Sequence, residues 1–542
     1  MEGLPNTPPE ERAAQACLAC RKQKRKCDKA LPTCTLCSRM KRVCNYTDSG
    51  SPNGDELALL RDKVQLLEAR LESVSVPTDS VSQESLRWSP ASNAASISTS
   101  GGASFPSVFF LDTELFNRIH GSIPKPQISV PAVLKASLGT VVDIQAIISA
   151  YFASVHDWLP MVSKTRLHRK LSNAFPELSA DLVLLLASMK MIISYPQAGI
   201  HPADAPLYRT VKQFLATVEI GGLLTIHVLQ SALLIAAYEI GHSIYPAAHL
   251  STGQCARLGQ VLALHDRHNS PAVLTKPATW GEGEENVRTW YAVLILDRYV
   301  NIGSYGHPLS SGEFHRRAVL PCEDESFDRG EITPSQPIFV SSPTSVKAGA
   351  YARICQAAHL LGQVISHRDD RDIESTFRFT SAMQIHATSD ALSKVLADEF
   401  KHSPGKLSTA LALLYTARLS LYDPYACTGT NHGDNTVEET QMQEIAIKGL
   451  LENAQDIVEF SHILRNHLGF DISSVSPLIC DCVYQGAANF AWLRRENGDP
   501  QADMAFRILM DFLDLINTRW RVAGEYSKML EISEEKIYAS AG

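Results

Sequence analysis

The chain has 542 residues, 45% hydrophobic and 20% charged, which excludes a wholly disordered or collagen-like protein. Its 50 Lys and Arg against 58 Asp and Glu give a net charge of -8, which by itself argues against a general polyanion binder. The charge is segregated, however. Residues 12–46 carry ten basic side chains and one acidic side chain, Asp28, for +9, and the other 40 basic and 57 acidic side chains sum to -17. A small basic head on a large acidic body points to a polyanion partner for the head.

Met1 to Ala16 holds three Glu and three Pro and no apolar core of a secretory leader. No stretch reaches 18 uninterrupted apolar residues, so no membrane partner is expected. The chain reads as intracellular, in a reducing compartment, where clustered cysteines mean metal before disulfide. Six of its 12 cysteines are Cys17, Cys20, Cys27, Cys34, Cys37 and Cys44. They form a near-repeat, C-x2-C-x6-C, six residues, then C-x2-C-x6-C. A C-x2-C pair offers two thiolates to one ion from a single tight turn, and four thiolates complete a tetrahedral zinc site. Six sulfurs fill two such sites if two of them bridge. Three disulfides, or one zinc with two spare thiols, are the competing readings.

The run "ACLACRKQKRKCDKALPTCTLCSRMKRVCNY", Ala16 to Tyr46, resembles the fungal Zn(2)-Cys(6) binuclear-cluster transcription factors. The resemblance implies two Zn(2+), with Cys17 and Cys34 bridging, Cys20 and Cys27 completing one site and Cys37 and Cys44 the other. It also aligns Asp28 and Pro32 with the family's Asp and loop proline, and Lys24 with its base-reading lysine. Gln23 departs from a position often basic in that family.

Arg21, Lys22, Lys24, Arg25 and Lys26 are five basic residues in six, with no Gly or Pro. The spacing predicts a short helix over Arg21–Lys26, pinned by cysteines at both ends and held by metal, since so short a helix does not nucleate alone. Such a helix can enter a major groove and donate to guanine O6 and N7, while phosphate contacts supply sequence-independent affinity. Residues 21–26, with Gln23, are therefore the candidate contacts to double-stranded DNA.

A turn-rich linker over residues 47–55 precedes a heptad pattern over residues 56–75. Leu57, Val64 and Leu71 fall at a, and Leu60, Leu67 and Val74 at d. In a parallel homodimer Glu56 faces Arg61 of the other helix, and Lys63 faces Glu68; both pairs are opposite in sign. A helix docked on the large domain is the alternative. Ser73–Ser104 contains 11 Ser in 32 residues and reads as a disordered tether, spanning 76–104 beyond the coil.

Residues 105–542 carry apolar residues at helical spacing, from Val141 through Leu182–Met191, Val228–Tyr238, Asn286–Val300, Ala350–Val364, Ser381–Phe400, Leu407–Tyr422, Thr440–Ile463 and Ala502–Ile516. The prediction is a large all-α domain. "YFASVHDWLP" (Tyr151–Pro160), Leu207–Ala216, Tyr245–His265 and Glu284–Leu309 resemble the fungal-specific transcription factor regulatory domain, with Val287 and Tyr291 departing from its pattern. His156, Asp157, His242, His249, His265, Asp266, Asp297 and Arg298 are polar groups amid apolar stretches. They read as buried networks and caps rather than a catalytic set, with Arg288 and Asp297 joining helices and Trp290 in the core. No HExxH, GxSxG, GxGxxG or Walker A pattern occurs. The expectation is a nuclear, non-enzymatic, DNA-binding transcription regulator. It is taken as an activator of a pathway-specific or secondary-metabolite gene cluster that reads CGG-type half-sites and contacts coregulators. A repressor or a protein-binding scaffold is the alternative.

Overall fold

The computed structural model describes residues 13, 15–22, 25–46 and 105–541, apart from short gaps at 175–177, 267–272, 275, 304, 315–317, 333–335, 371, 373, 427–435 and 470. The chain divides into two compact units, Met1–Ile97 and Ser98–Gly542. The heptad segment 56–75 and both linkers lie outside the described residues.

Among its described residues the first unit has two short helices, α1 (Leu18–Lys22) and α2 (Thr35–Arg39). Its buried core is four cysteine side chains, Cys17, Cys20, Cys34 and Cys37, with Ala19, Cys27, Leu36, Cys44 and Tyr46 packed around them. So little apolar surface is buried that the hydrophobic effect alone does not hold the unit together.

The second unit is all-α among the described residues, apart from one antiparallel bridge between Val319 and Phe339. Its helices are α3 (Val108–Leu111), α4 (Thr113–Arg118), α5 (Ala132–Leu138), α6 (Val141–Phe152), α7 (Lys164–Ala174), α8 (Ala180–Ile193) and α9 (Pro206–Ile220). Then come α10 (Ile226–Gly241), α11 (Ala247–Val261), α12 (Trp280–Val300), α13 (Asp324–Arg329), α14 (Ala350–Asp369) and α15 (Ser375–His402). The last are α16 (Pro404–Ala426), α17 (Val437–Leu468), α18 (Cys480–Asn497), α19 (Pro500–Asn517) and α20 (Arg521–Ala541). Several start at a threonine whose hydroxyl accepts a backbone N–H three residues on. Thr140 takes that of Asp143 and opens α6 as a capping box, Thr279 takes that of Glu282 and Thr436 that of Glu439.

Two helices form the interior. Every residue of α10 is buried, against α8, α11 and α12. Leu407–Leu419 of α16 is buried without a break, against α14, α15, α17 and α18. A helix apolar on all sides must be surrounded in this way. α12 packs on both α11 and α14 and so ties the two groups together. No single described helix is long and apolar enough to cross a membrane.

Many of the polar side chains in this interior have partners, although both ring nitrogens of His242 have none. Gln230 donates to the Met161 carbonyl at 2.9 Å, and Glu239 accepts from Tyr208 Oη at 2.8 Å and Lys212 Nζ at 2.6 Å. Arg288 does join elements: it bonds Glu284 at 2.9 Å and Asp324 of α13 at 2.8 Å, with its guanidinium 4.2 Å from the Phe327 ring centroid. Asp297 does not join helices. It accepts from the backbone of Ser310 and Ser311 and fixes that loop, because α12 ends three residues later and the chain turns back over it. Trp290 is half-buried against the core rather than inside it.

Candidate metal centre and nucleic-acid interface

The two halves of the cysteine repeat are offset by 17 residues, and the backbone repeats with them. Arg21 N–H donates to the Cys17 carbonyl and Arg25 N–H to that of Cys20; Ser38 and Arg42 N–H donate to those of Cys34 and Cys37. In the second half the closure is a Schellman motif. Arg42 reaches back to Cys37 at 3.0 Å and Lys41 to Ser38 at 3.2 Å, with Lys41 at φ 49°. Each short helix thus begins one residue after the first cysteine of a C-x2-C pair, and in the second half the chain turns sharply at Lys41, two residues beyond the end of α2.

This places the helix differently from the sequence expectation. α1 spans Leu18–Lys22, and Arg25 and Lys26 lie beyond it. The reason is the cysteine pair: Cys17 and Cys20 must face one point from one turn, so the helix forms around them rather than after them. Arg21, Arg25 and Lys26 are exposed. Gln23, Lys24 and the Lys22 side chain lie outside the described residues.

All six cysteines are free thiols, and they converge. Two groups of four have every sulfur within 4.8 Å of the others: Cys17, Cys20, Cys27, Cys34, and Cys17, Cys34, Cys37, Cys44. Cys17 and Cys34 belong to both. Sulfurs on one zinc at about 2.3 Å stand about 3.8 Å apart. Cys17–Cys34 and Cys20–Cys34 are 3.8 Å apart, and Cys17–Cys37 3.6 Å. The spacing suits tetrahedral thiolate coordination and is far beyond a disulfide bond.

The surroundings favour thiolate at one shared sulfur. Burial pushes the Cys17 thiol up, but hydrogen bonds from the Cys20 backbone and from the thiols of Cys20, Cys37 and Cys44 outweigh it and bring it down to about 6. Burial, with contacts to Cys17 and Cys34, pushes Cys20 up to about 12. Backbone N–H groups support the sulfurs, Cys34 N–H to Cys44 Sγ at 3.3 Å and Cys37 N–H to Cys34 Sγ at 3.4 Å.

Two supports were not read from the sequence. The Asp28 carboxylate accepts both the backbone N–H of Thr35, at 3.2 Å, and its hydroxyl; these bonds, the hydroxyl's first, lower the Asp28 pKa. Tyr46 Oη donates to the Ala30 carbonyl at 2.9 Å and lies 3.9 Å from Cys27 Sγ, closing the end of the module over its loop. A single tyrosine after the last cysteine carries no pattern that would have shown this.

The polar residues of the large unit are not one site. His156 bonds Asp328 at 2.9 Å, His265 lies 5.9 Å from the Trp290 ring and His249 5.7 Å from that of His307. His242 packs between Tyr238 and Trp520, and Arg298 bonds Ser311 and Gly312. Among the described residues only the two sulfur quartets could share an ion.

Comparison with known proteins agrees with this geometry. Residues 15–52 match the fungal Zn(2)-Cys(6) binuclear cluster domain, whose cofactor is two zinc ions, and residues 148–399 match the fungal specific transcription factor domain. The chain is 36% identical to transcription factor BOA15 of Botryotinia fuckeliana (strain B05.10) over 33% of its own length and 98% of that protein. It is 24% identical to the pigment biosynthesis transcriptional activator pigB of Monascus ruber over 96% of this chain and 94% of the relative. It is also 24% identical to the citrinin biosynthesis transcriptional activator mrl3 of Monascus ruber, over 60% and 67%. These relatives are transcription factors, not enzymes.

Proposed function

The chain belongs to the fungal Zn(2)-Cys(6) binuclear-cluster transcription factors, and within that family we propose that it activates a secondary-metabolite gene cluster, working in the nucleus as a homodimer that reads CGG-type half-sites. The observation that carries the DNA-binding part is the pair of sulfur quartets sharing Cys17 and Cys34. In this reading Cys17 and Cys34 would be ligands common to two zinc ions, with Cys20 and Cys27 holding one and Cys37 and Cys44 the other. Both ions are then saturated by sulfur, which leaves no position for a water nucleophile, so the cluster is a scaffold and not a catalyst.

The scaffold presents residues 21–26 to the major groove. Lys24 donates to guanine, and Arg21, Lys22, Arg25 and Lys26 neutralise phosphates, with Gln23 between them. Two Zn(II) and six thiolates sum to -2, against ten basic side chains in residues 12–46, so the loaded head stays strongly positive. The coil over residues 56–75 spaces two heads, and the large unit meets coregulators. Support for activation of a biosynthetic cluster comes from the relatives named as activators of pigment and citrinin biosynthesis.

Fluorescence anisotropy of the full chain on a CGG-containing duplex and on a scrambled duplex tests the reading. Chelation of zinc should abolish binding to both. Lys24→Ala should lose about 1–3 kcal/mol of discrimination and keep most nonspecific affinity. Equal losses on both duplexes would show that Lys24 touches only phosphate.

A further inference from the structure

A cleft of about 710 Å³ opens in the large unit between residues 197–202, the end of α10, and α19 and α20. Sites for small metabolites have this size. Its rim and its inner end differ in charge. Asp514, Glu525 and Glu531 at the rim are exposed, and Glu525 is engaged by Lys528 at 2.7 Å. The inner wall carries His242, 2% exposed, and the half-buried Arg521.

Two observations give the inner end unpartnered donors and a positive field. Neither ring nitrogen of His242 has a hydrogen-bond partner; the ring is held only by packing, 4.3 Å from the Tyr238 ring and 5.3 Å from that of Trp520. Behind it lies Arg519, 1% exposed. Its guanidinium donates to the carbonyls of Ile192 and Ser194 and lies 4.0 Å from the Trp520 ring, and its Nε is unpartnered. The groups that act on its charge, after burial, are Tyr195 and Tyr238, and no carboxylate is among them. Arg521 itself donates to the Asn517 carbonyl at 3.3 Å. Arg519 does not line the cleft, but its positive charge acts on His242, which does. Burial first, then Arg519, Arg521 and His201, bring His242 down to about 3, so its ring is neutral and keeps one N–H to donate.

We propose that this cleft binds a small organic acid, its carboxylate held at the inner end by Arg521 and His242 and its polar remainder facing Ser243, Asn517 and Ser527. The Arg521 guanidinium fork matches a carboxylate, which it can hold with two parallel N–H donors. The acidic rim disfavours multiply charged anions and leaves room for a ligand that also carries a donor. This site lies beyond the DNA reading and does not depend on it.

The test is thermal melting and titration calorimetry of the full-length, zinc-loaded chain. The probes are succinate, benzoate and glutamate, with inorganic phosphate and sorbitol alongside, all at matched ionic strength. A carboxylate probe should raise the melting temperature by about 2 °C or more near saturation. Arg521→Gln should weaken that probe about tenfold, and so should His242→Phe, which keeps the packing on Tyr238 and Trp520. Far-ultraviolet circular dichroism identifies a variant that has not folded, and the other variant then decides. The proposal is overturned if no carboxylate binds, if phosphate binds as well as every carboxylate, or if a folded variant binds the probe as the native chain does. Binding to the CGG duplex, measured on the same samples, separates failure here from failure of the DNA reading.

Discussion

A methyl group at Gly241 would press on the Trp520 ring, 2.8 Å from Cζ3, and come within 3.2 Å of Pro477 Cβ. The ring is fully buried and its Nε1 donates to the Val475 carbonyl at 2.7 Å, so it has little freedom to yield. Gly241→Ala should therefore destabilise the large unit by about 1–3 kcal/mol, read from the urea midpoint. An unchanged midpoint would mean that the ring moves. Asp481 offers a test in pH. Burial raises its pKa from 3.8 to about 6, against hydrogen bonds from Thr416, Gln485 and Tyr526. The unfolded chain releases this proton near pH 4, whereas the folded chain keeps it to about 6. The folded state binds more protons in between, so stability falls as pH rises through that window and is level above it. The loss is about 3 kcal/mol at most. Asp481→Asn removes this dependence, so native stability relative to the variant should decline from pH 4 to pH 6. A constant difference across that range would sink the assignment.

Among elements, the threonine caps were not read from the sequence, although Thr140-x-x-Asp143, Thr279-x-x-Glu282 and Thr436-x-x-Glu439 each open a helix. The long apolar segments were legible, because a periodic apolar pattern admits few alternatives to a packed helix. Other elements were not, among them α2, α7 and α20. α18 begins at Cys480, where the sequence shows only an isolated Cys-x-Cys, and α1 was expected over Arg21–Lys26 but forms over Leu18–Lys22. Local charge marked the basic run, while the convergence of sulfurs decided where the turn lies. The heptads over residues 56–75 remain a proposal with a direct test. Leu67→Pro, at the central d position, should break the seam at about 3 kcal/mol or more per helix. Sedimentation of residues 1–80 on DNA should then shift from two chains per site to one. Intact stoichiometry and affinity would assign dimerisation to another element.

On the scale of the molecule, the charge asymmetry divides the labour. Residues outside the +9 head carry -17, so their long-range field repels phosphate. Residues 105–542 alone should give a mostly helical protein with no DNA affinity at physiological salt, checked by circular dichroism and anisotropy; measurable affinity would move part of the DNA contact into this region. The sequence by itself determined the six cysteines and their spacing, the basic run among them, and the helical class of the large unit. All three are local, written in types and intervals of residues. The family resemblance already singled out Cys17 and Cys34; the tertiary structure places them in both sulfur quartets, which requires the two halves of the repeat to fold over each other. It also decided that Arg288 reaches Asp324, that the conspicuous histidines scatter, and that the unpartnered ring of His242 lines an open cleft. Such pairings join residues tens or hundreds of positions apart, and nothing in the order of residues specifies them before the helices pack.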